Sequence, residues 1–254
     1  MAVALITGAA KRIGLGFARA LAADGWDIAI HCNSSVTDGE KLAEELREQG
    51  RRAAVIQADL SDGTATSTIM ARAVESLGQV DLLINCASTF EPDRLDSITA
   101  DAWDAQQAVN LRAPALLSRD FAAHVSVRGG EGLIINMLDQ AVANLRPDWL
   151  SYRISKAGLF TLNRLLAMEL APSIRVNAIA PGLTLPSGGQ TQEEFERFQS
   201  QALLGKGASV DDLAEALRYL IRADKTTGQV IYVDGGDRFR PLGADCTGQN
   251  FGEE

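Results

Sequence analysis

A tyrosine and a lysine four positions apart, Tyr152 and Lys156, are the residues of this chain best suited to proton chemistry. On a helix, side chains at this spacing lie on one face, about one turn apart. An ammonium group favours the phenolate form of a nearby phenol, so the lysine would lower the tyrosine pKa from about 10 toward neutrality. The pair predicts a proton donor for a reduction near pH 7, although surface packing of the two side chains would produce the same spacing.

A glycine-containing turn near the start of the chain predicts a dinucleotide site. It lies between an apolar segment, 1–7, and an amphipathic segment, 17–23, which indicate a buried strand and a helix. The turn contains Gly8, Arg12, Ile13 and Gly14. Glycines let the backbone approach a phosphate, and the first amides of the helix can bind it. Such turns also occur without a ligand, and the Tyr–Lys pair downstream is what favours the dinucleotide.

Six further apolar runs indicate strands, at 27–32, 52–57, 80–85, 132–137, 174–179 and 229–233. Helices are predicted over 41–49, up to about 77, and over 102–125, 151–171 and 210–222. Strands that alternate with helices pair in parallel through right-handed crossovers, and continuous apolar runs fit a sheet covered on both faces. The predicted fold is α/β: a single doubly wound (Rossmann) domain with a seven-stranded, mostly parallel sheet and helices on both faces.

Two segments depart from this alternation. No strand is predicted from 181 to 207, and a loop of that length in a compact domain is typical of a lid, which we place at 182–207. After Val233 the chain is rich in glycine and has little periodicity, which predicts an exposed, flexible terminus. We expect one domain over 1–240, including the lid, and a tail over 241–254.

The composition limits the classes of partner and the location that the protein can have. The net charge of −9 argues against nucleic acid and anionic membranes. No apolar run approaches the length of a membrane span or of a signal peptide core, so we expect a cytoplasmic protein. Three cysteines and two histidines, scattered along the chain, give little basis for disulfides or a metal site, and we expect neither.

The candidate binding residues follow the predicted strands. Ligands of an open parallel sheet bind at the carboxyl ends of its strands. After the second and third strands come His31, Asn33, Ser34, Ser35, Asp59 and Leu60. After the fourth, fifth and sixth come Asn85, Cys86, Ala87, Ser88, Thr89, Phe90, Asp139, Pro181, Gly182, Leu183 and Thr184. We expect these residues to surround one cofactor and its substrate.

The end of the second strand favours NADPH over NADH. A carboxylate there would bind the ribose hydroxyls and repel a 2′-phosphate, but none occurs before Asp38. Asn33, Ser34 and Ser35, together with Arg12 in the glycine turn, would suit a phosphate. The alternative is that the asparagine and serines only form a turn.

The chain resembles the short-chain dehydrogenase/reductase family from Thr7 to Gly236. The matching motifs are Thr7-Gly8 to Gly14, Asp59, Asn85-Cys86-Ala87, Asn110, Tyr152 to Lys156, Pro181-Gly182 and Asp234-Gly235-Gly236. The resemblance implies that Tyr152 is the proton donor, that Lys156 tunes its pKa and binds the nicotinamide ribose, and that Asn110 holds a water of the proton relay. It also implies a homotetramer, or at least a dimer, formed through helices 102–125 and 151–171.

Departures from the family pattern are more specific. Arg12 stands where the family usually has glycine, Cys86 where it has asparagine, and Asp139 where it has the catalytic serine thirteen positions before the tyrosine. The same set resembles the pteridine reductases and the related bacterial dihydromonapterin and dihydrofolate reductases. The resemblance implies a pterin substrate.

The chemistry of a pterin fits these departures. Its aminopyrimidine edge donates hydrogen bonds, which a carboxylate such as Asp139 can accept. Phe90 could stack on the flat ring, and Arg12 could face both the cofactor phosphates and the pterin carbonyl. Ser88 completes the expected substrate contacts, with Tyr152. The alternative for Asp139 is that it caps the loop after the fifth strand.

Three functions remain open. The first is an NADPH-dependent reductase of a dihydropterin (dihydromonapterin, dihydrobiopterin or dihydrofolate) to the tetrahydro form. The second is a reductase of another small carbonyl or imine compound, and the third is a nucleotide-sensing protein without catalysis. The presence of Tyr152, Lys156 and Asn110 argues against the third.

Overall fold

Seven strands form the centre of the computed structural model, which describes residues 2–240. They are β1 (Val3–Ile6), β2 (Asp27–Cys32), β3 (Ala53–Gln57), β4 (Leu82–Asn85), β5 (Gly132–Met137), β6 (Ile174–Pro181) and β7 (Val230–Val233). They make one sheet in the order β3-β2-β1-β4-β5-β6-β7, and every neighbouring pair is parallel. The predicted doubly wound fold is confirmed, and the sheet is wholly rather than mostly parallel.

Nine helices accompany the strands within residues 2–240. They are α1 (Arg12–Ala23), α2 (Val36–Glu48), α3 (Gly63–Thr66), α4 (Ile69–Leu77), α5 (Ala100–Gln107), α6 (Ala113–Arg128), α7 (Leu150–Glu169), α8 (Gln192–Gln199) and α9 (Val210–Arg222). The sheet is covered on both faces, by one core that includes Phe17 of α1 and Leu217 of α9, and by another that includes Phe121 of α6. None of the helices in this range has the length and apolarity needed to cross a membrane.

The helix predicted over 102–125 is interrupted. A π-helical turn, Ala108–Arg112, separates α5 from α6. Turns of this kind insert an extra residue into a helix and are frequent at functional sites. Asn110 lies in this turn and is fully buried. Periodicity alone could not predict the interruption, because the apolar residues on both sides continue a helical pattern.

The predicted lid contains a helix that the loop prediction missed. Thr191 and Glu194 form a reciprocal capping box at the start of α8, and Phe195 and Phe198 are buried. A threonine followed three positions later by a glutamate is a signal for a helix start that was present in the sequence. The segment 182–207 is therefore partly helical and packed.

The chain after Val233 is also packed, as far as the structure describes it. Asp234, Asp237 and Arg240 are buried, and the guanidinium of Arg240 lies 3.0 Å from the carboxylate of Asp237. The exposed terminus predicted from Val233 onward is therefore wrong for Asp234, Asp237 and Arg240, although Phe239 between them is exposed. The predicted tail, 241–254, lies outside the described residues, and the domain boundary at 240 stays a prediction.

Candidate active site

A cleft of about 500 Å³ lies at the carboxyl ends of the strands. The predicted site residues that line it are Gly8, Arg12, Ile13, Gly14, His31, Asn33, Asp59, Leu60, Ala87, Ser88, Phe90, Asp139, Tyr152, Lys156, Pro181, Gly182, Leu183 and Thr184. The lid contributes further residues, including Leu185, Ser187 and Gln190. The sheet therefore brings most of the predicted positions to one place.

Four predicted residues do not line this cleft. Ser34 is exposed, and Ser35 occupies the position before α2 without a side-chain capping bond. Asn85 is buried, and its amide donates to the Oδ1 of Asn136 at 2.9 Å. The fourth residue, Asn110, is buried beside the cleft. A motif position places such residues near a site, but the structure decides which side chains reach it.

Close backbone packing shapes the glycine turn. Gly8 has φ +67°, and a Cβ there would lie 3.0 Å from the Cα of Ala87. A Cβ on Gly14 would lie 2.3 Å from the Gly8 carbonyl oxygen. The first turn of α1 has no acidic residue, and Lys11, which precedes it, makes no side-chain cap. The amides at the start of α1 are thus left without a side-chain cap, an arrangement that suits an anion.

His31 supports this turn from beneath. The Gly8 amide donates to its Nδ1 at 3.3 Å, and its Nε2 lies 3.1 Å from the Ala58 carbonyl oxygen. The two contacts fix the neutral tautomer with the proton on Nε2, since Nδ1 must accept. Burial lowers the pKa of His31 to about 4, so the ring is uncharged at neutral pH.

The two cations of the turn point in different directions. The Arg12 guanidinium donates to the carbonyl oxygens of Pro186, at 2.8 Å, and Leu185, at 3.5 Å. The Lys11 ammonium lies 3.1 Å from the carboxylate of Asp38 on α2. The expectation that Arg12 joins the serines after β2 is therefore wrong in this structure: Arg12 reaches the lid, and Lys11, which the sequence analysis did not single out, is the cation on the α2 side.

Asp139 and Tyr152 are hydrogen-bonded. The Tyr152 hydroxyl donates to Oδ2 of Asp139 at 2.8 Å, and Oδ1 accepts from the Ala141 amide at 2.7 Å. Asp139 therefore caps the short 3₁₀ turn Gln140–Val142 and also accepts from the hydroxyl of Tyr152. The capping role that the sequence left open for Asp139 is confirmed, and its binding of a pterin stays a prediction.

The pKa of Tyr152 shifts in the direction opposite to the prediction. Burial and then the Asp139 carboxylate raise it well above its usual value. The Lys156 ammonium is 5.7 Å from the centre of the tyrosine ring, and it donates to the Met137 carbonyl oxygen at 2.8 Å. The carboxylate at hydrogen-bond distance outweighs the more distant cation, so the predicted lowering of the Tyr152 pKa is wrong for the protein without ligands.

Lys156 is itself perturbed. It is buried, and burial lowers its pKa to about 8. The neighbouring Cys86 thiol lines the cleft, and burial raises its pKa to about 12, so it stays protonated. Near neutral pH, Lys156 carries a proton while Cys86 adds no charge to the site.

The amide of Asn110 is used in full. Its Oδ1 accepts from the Thr89 amide and from the Ser88 hydroxyl, and its Nδ2 donates to the Thr89 carbonyl oxygen and to the Ser155 hydroxyl. These four bonds hold the segment after β4 against α7. The side chain has no donor or acceptor left for a water, and the predicted relay role stays a prediction.

Three aromatic rings form one wall of the cleft. Phe90 stacks on Trp149, with ring centres 5.3 Å apart and planes 5° apart, and meets Tyr152 edge to face at 4.7 Å. The sequence analysis named Phe90 and Tyr152 but missed Trp149. Its position three residues before Tyr152, at the start of the same helix, was the available signal.

No group of three or more histidine, cysteine, aspartate or glutamate side chains within residues 2–240 is arranged to hold a metal ion.

Comparisons with known proteins cover almost the whole chain. A family model described as enoyl-(acyl carrier protein) reductase matches residues 8–237. The chain is 34% identical over 243 residues to a short-chain dehydrogenase/reductase, eriH, of Hericium erinaceus, an alignment that spans 92% of this chain and 96% of the relative.

Two solved structures are similar over their full length. FolM alternative dihydrofolate reductase 1 from Brucella suis, in complex with NADP, is 38% identical with a TM-score of 0.91, over 94% of this chain and 96% of that one. Its counterpart from Brucella canis, complexed with NADP, is 37% identical with a TM-score of 0.90, over 95% of this chain and 96% of that one.

Proposed function

This chain belongs to the short-chain dehydrogenase/reductase family of oxidoreductases, and we propose that it is an NADPH-dependent reductase of a dihydropterin, forming the tetrahydro compound from dihydromonapterin, dihydrobiopterin or dihydrofolate. The observation that carries the proposal is the Asp139 carboxylate bonded to the Tyr152 hydroxyl at the cleft. The two FolM dihydrofolate reductases similar to this chain support the same substrate class.

An ionised carboxylate favours a substrate that donates hydrogen bonds. Asp139 can only accept, so it would repel the oxygen of a polarised carbonyl rather than bind it. A pterin presents an amino group and a ring N–H along one edge, and a carboxylate accepts both well. The Asp139 oxygens have further lone pairs beyond their present bonds, so they can accept from a substrate without releasing the 3₁₀ turn.

The cofactor proposal rests on the fit of the glycine turn. NADPH would supply the hydride. The uncapped start of α1 would hold its pyrophosphate, and the short Gly8–Gly14 contact keeps that turn tight against the strand. Lys11 and Asn33 line the cleft, with Lys11 paired to Asp38 of α2, and we expect them to bind the 2′-phosphate; the FolM structures complexed with NADP support the choice of cofactor.

The proton would come from Tyr152. Its raised pKa keeps the hydroxyl protonated at neutral pH, and the one proton that it donates to Asp139 would turn toward the substrate nitrogen once Asp139 accepts from the pterin edge. Transfer to a substrate nitrogen requires the developing phenolate to be stabilised, and protonated Lys156 is the nearby cation that can do so. Asp139 would meanwhile orient the pterin by its amino edge.

Substitution of Asp139 tests the function. Asp139→Ser should lower kcat/KM for a dihydropterin by at least ~10²-fold, equivalent to about 2.7 kcal/mol of transition-state stabilisation. Asp139→Asn keeps the volume but replaces one acceptor oxygen by a donor, so it separates charge from shape. NADPH oxidation would be followed with 7,8-dihydrobiopterin, dihydrofolate and simple ketones. A wild-type enzyme that ignores every dihydropterin and reduces a ketone independently of Asp139 would favour the second function.

We also propose that the protein is a homo-oligomer, a tetramer or at least a dimer. α7 carries exposed apolar side chains, among them Leu165, 52% exposed, and Met168, 71% exposed. Burying such a surface against a second copy would remove it from water. Light scattering at micromolar concentration should give a multiple of the chain mass, and a monomeric mass would contradict this assignment.

A further inference from the structure

We infer that Trp149 is a positioning residue for the substrate, which fixes the plane of Phe90 so that a flat bicyclic ring can stack on it. The inference rests on the proposed function for the identity of that ring as a pterin. Trp149 forms part of the cleft wall and does not contact the reacting atoms. Four features of the structure support this role.

The first feature is the backbone of Trp149. Its φ is 50° and ψ is 48°, in the left-handed region that a bulky side chain rarely adopts. Bulky residues persist in this conformation only where the surroundings hold them. Trp149 immediately precedes α7, so this conformation sets how its indole leaves the helix start.

The second feature is the group that holds this conformation. Asp93 is buried, and its carboxylate accepts from both the amide and the hydroxyl of Ser151 in the first turn of α7. Its carbonyl oxygen accepts from the Leu150 amide at 3.2 Å. Trp149 makes no side-chain cap of its own, so Asp93, from the segment after β4, satisfies the helix start in its place. The indole of Trp149 lines the cleft.

The third feature is that the same segment carries Phe90. Asp93 lies three residues after Phe90. The hydrogen bonds by which Asp93 holds the start of α7 therefore also fix the position of Phe90 relative to Trp149. The indole is 5% exposed whereas the Phe90 ring is 44% exposed. The nearly parallel stack therefore has one buried member and one member open to the cleft.

The fourth feature is the position of this stack relative to the chemistry. Phe90 also contacts the edge of Tyr152, whose hydroxyl bonds Asp139. A flat ring that stacks on the open part of Phe90 would have its polar edge near that pair. Offset stacking strengthens binding beyond the burial of area, but only while the ring plane is held. Trp149 supplies that restraint.

Kinetics of Trp149 variants test the inference. Trp149→Leu should raise the KM for 7,8-dihydrobiopterin at least tenfold, with kcat and the KM for NADPH within threefold of wild type. Trp149→Phe retains a flat ring and should bring the KM back within threefold. Trp103→Leu, on α5 away from the cleft, is the matched control and should leave all three constants unchanged. A purely structural role would lower the active fraction without a selective change in KM.

A second variant covers the case in which Trp149→Leu does not fold. Asparagine adopts the left-handed region more readily than other residues, so Trp149→Asn keeps the turn while it removes the ring. It should show the same rise in KM. Phe90→Leu should also raise the KM, and in combination with the Trp149 variant it should add little, because both changes remove one stack. Additive effects, or an unchanged KM in Trp149→Asn, would overturn the inference.

Binding measurements separate this inference from the proposed function. Calorimetry of the NADP⁺-loaded protein with pterin involves no turnover, and Trp149→Leu should weaken this binding at least tenfold. A wild type that binds pterin but reduces no dihydropterin would overturn the function alone, and the variants would still decide the role of Trp149. A wild type that reduces dihydropterins with a KM indifferent to Trp149 would overturn the inference alone. A wild type that binds no pterin would overturn both the proposed function and the inference about Trp149.

Discussion

The two sides of the cleft are built by different means. On the cofactor side, the turn from β1 to α1 is shaped by backbone packing at Gly8 and Gly14, and its helix start offers amides rather than side chains. On the substrate side, the wall consists of side chains held by other side chains, with Tyr152 on Asp139 and Phe90 on Trp149. A nucleotide shared by a whole family can be bound by backbone, whereas a particular substrate needs particular side chains.

Removal of the Tyr152 hydroxyl should have the largest effect on activity. The effect should be limited to turnover of the substrate and should not extend to cofactor binding. Tyr152→Phe is expected to lower kcat by about 10²–10⁴, the usual range for a lost general acid, with the Kd of NADPH nearly unchanged. Stopped-flow reduction and a separate fluorescence titration with NADPH would measure the two quantities. Tyr219→Phe, at an exposed position of α9, is the control. More than half of wild-type turnover in Tyr152→Phe would contradict the proton route.

Acid should weaken the cofactor side through His31. Its pKa is about 4 in the folded protein against 6.5 in the unfolded chain, so between these values the unfolded state binds more protons. The stabilisation is complete above pH 6.5 and is lost as the pH falls to about 4, an effect of about 3 kcal/mol at 1.36 kcal/mol per pH unit.

Denaturant unfolding between pH 4 and 7 measures this dependence. His31→Asn can still accept from the Gly8 amide but does not titrate, so its stability should fall less steeply with acid than that of the wild type. His124, the second histidine, also has a pKa lowered by burial, and His124→Asn is the matched comparison. Identical slopes for wild type and His31→Asn would show that His31 does not carry the effect.

The sequence predicted the backbone of the glycine turn more completely than the side chains around the cleft, since Ser34 and Ser35 do not line it and Arg12 bonds the lid. The strand–turn–helix order is local, so Gly8 and Gly14 could be assigned from spacing alone, and the confirmed sheet follows from the alternation of elements. Tyr152 and Asp139 were found by their offset of thirteen positions. Trp149 was missed because its role depends on a left-handed backbone and on hydrogen bonds between Asp93 and Ser151, which are 58 positions apart in the chain. Neither feature can be predicted from local spacing. The Tyr152 pKa was mispredicted because the sequence shows neither that the hydroxyl is buried nor that Asp139 is closer to it than Lys156.

The smallest expected effect concerns cofactor preference and compares the two cations of the glycine turn, Lys11 and Arg12. Lys11→Ala should reduce the preference for NADPH over NADH in kcat/KM about tenfold, or about 1.4 kcal/mol, the value of one charge-assisted phosphate contact. Arg12→Ala should leave the NADPH:NADH ratio unchanged, since its guanidinium bonds the lid at Pro186. Steady-state assays with both cofactors would decide. A loss of preference in Arg12→Ala and not in Lys11→Ala would restore the assignment made from the sequence.

The π-helical turn at Ala108–Arg112 makes this part of the chain intolerant of length changes. The turn accommodates one extra residue, so deletion of one residue would convert it into ordinary α-helix with α5 and α6 in register, whereas one further inserted residue would rotate one of these helices by about 100° relative to the sheet. A deletion would move Asn110 away from its four hydrogen bonds, and an insertion would take Leu117 and Phe121 out of the core. Natural variation in this segment should therefore occur by substitution, and insertions or deletions should be found in the loops that flank α5 and α6.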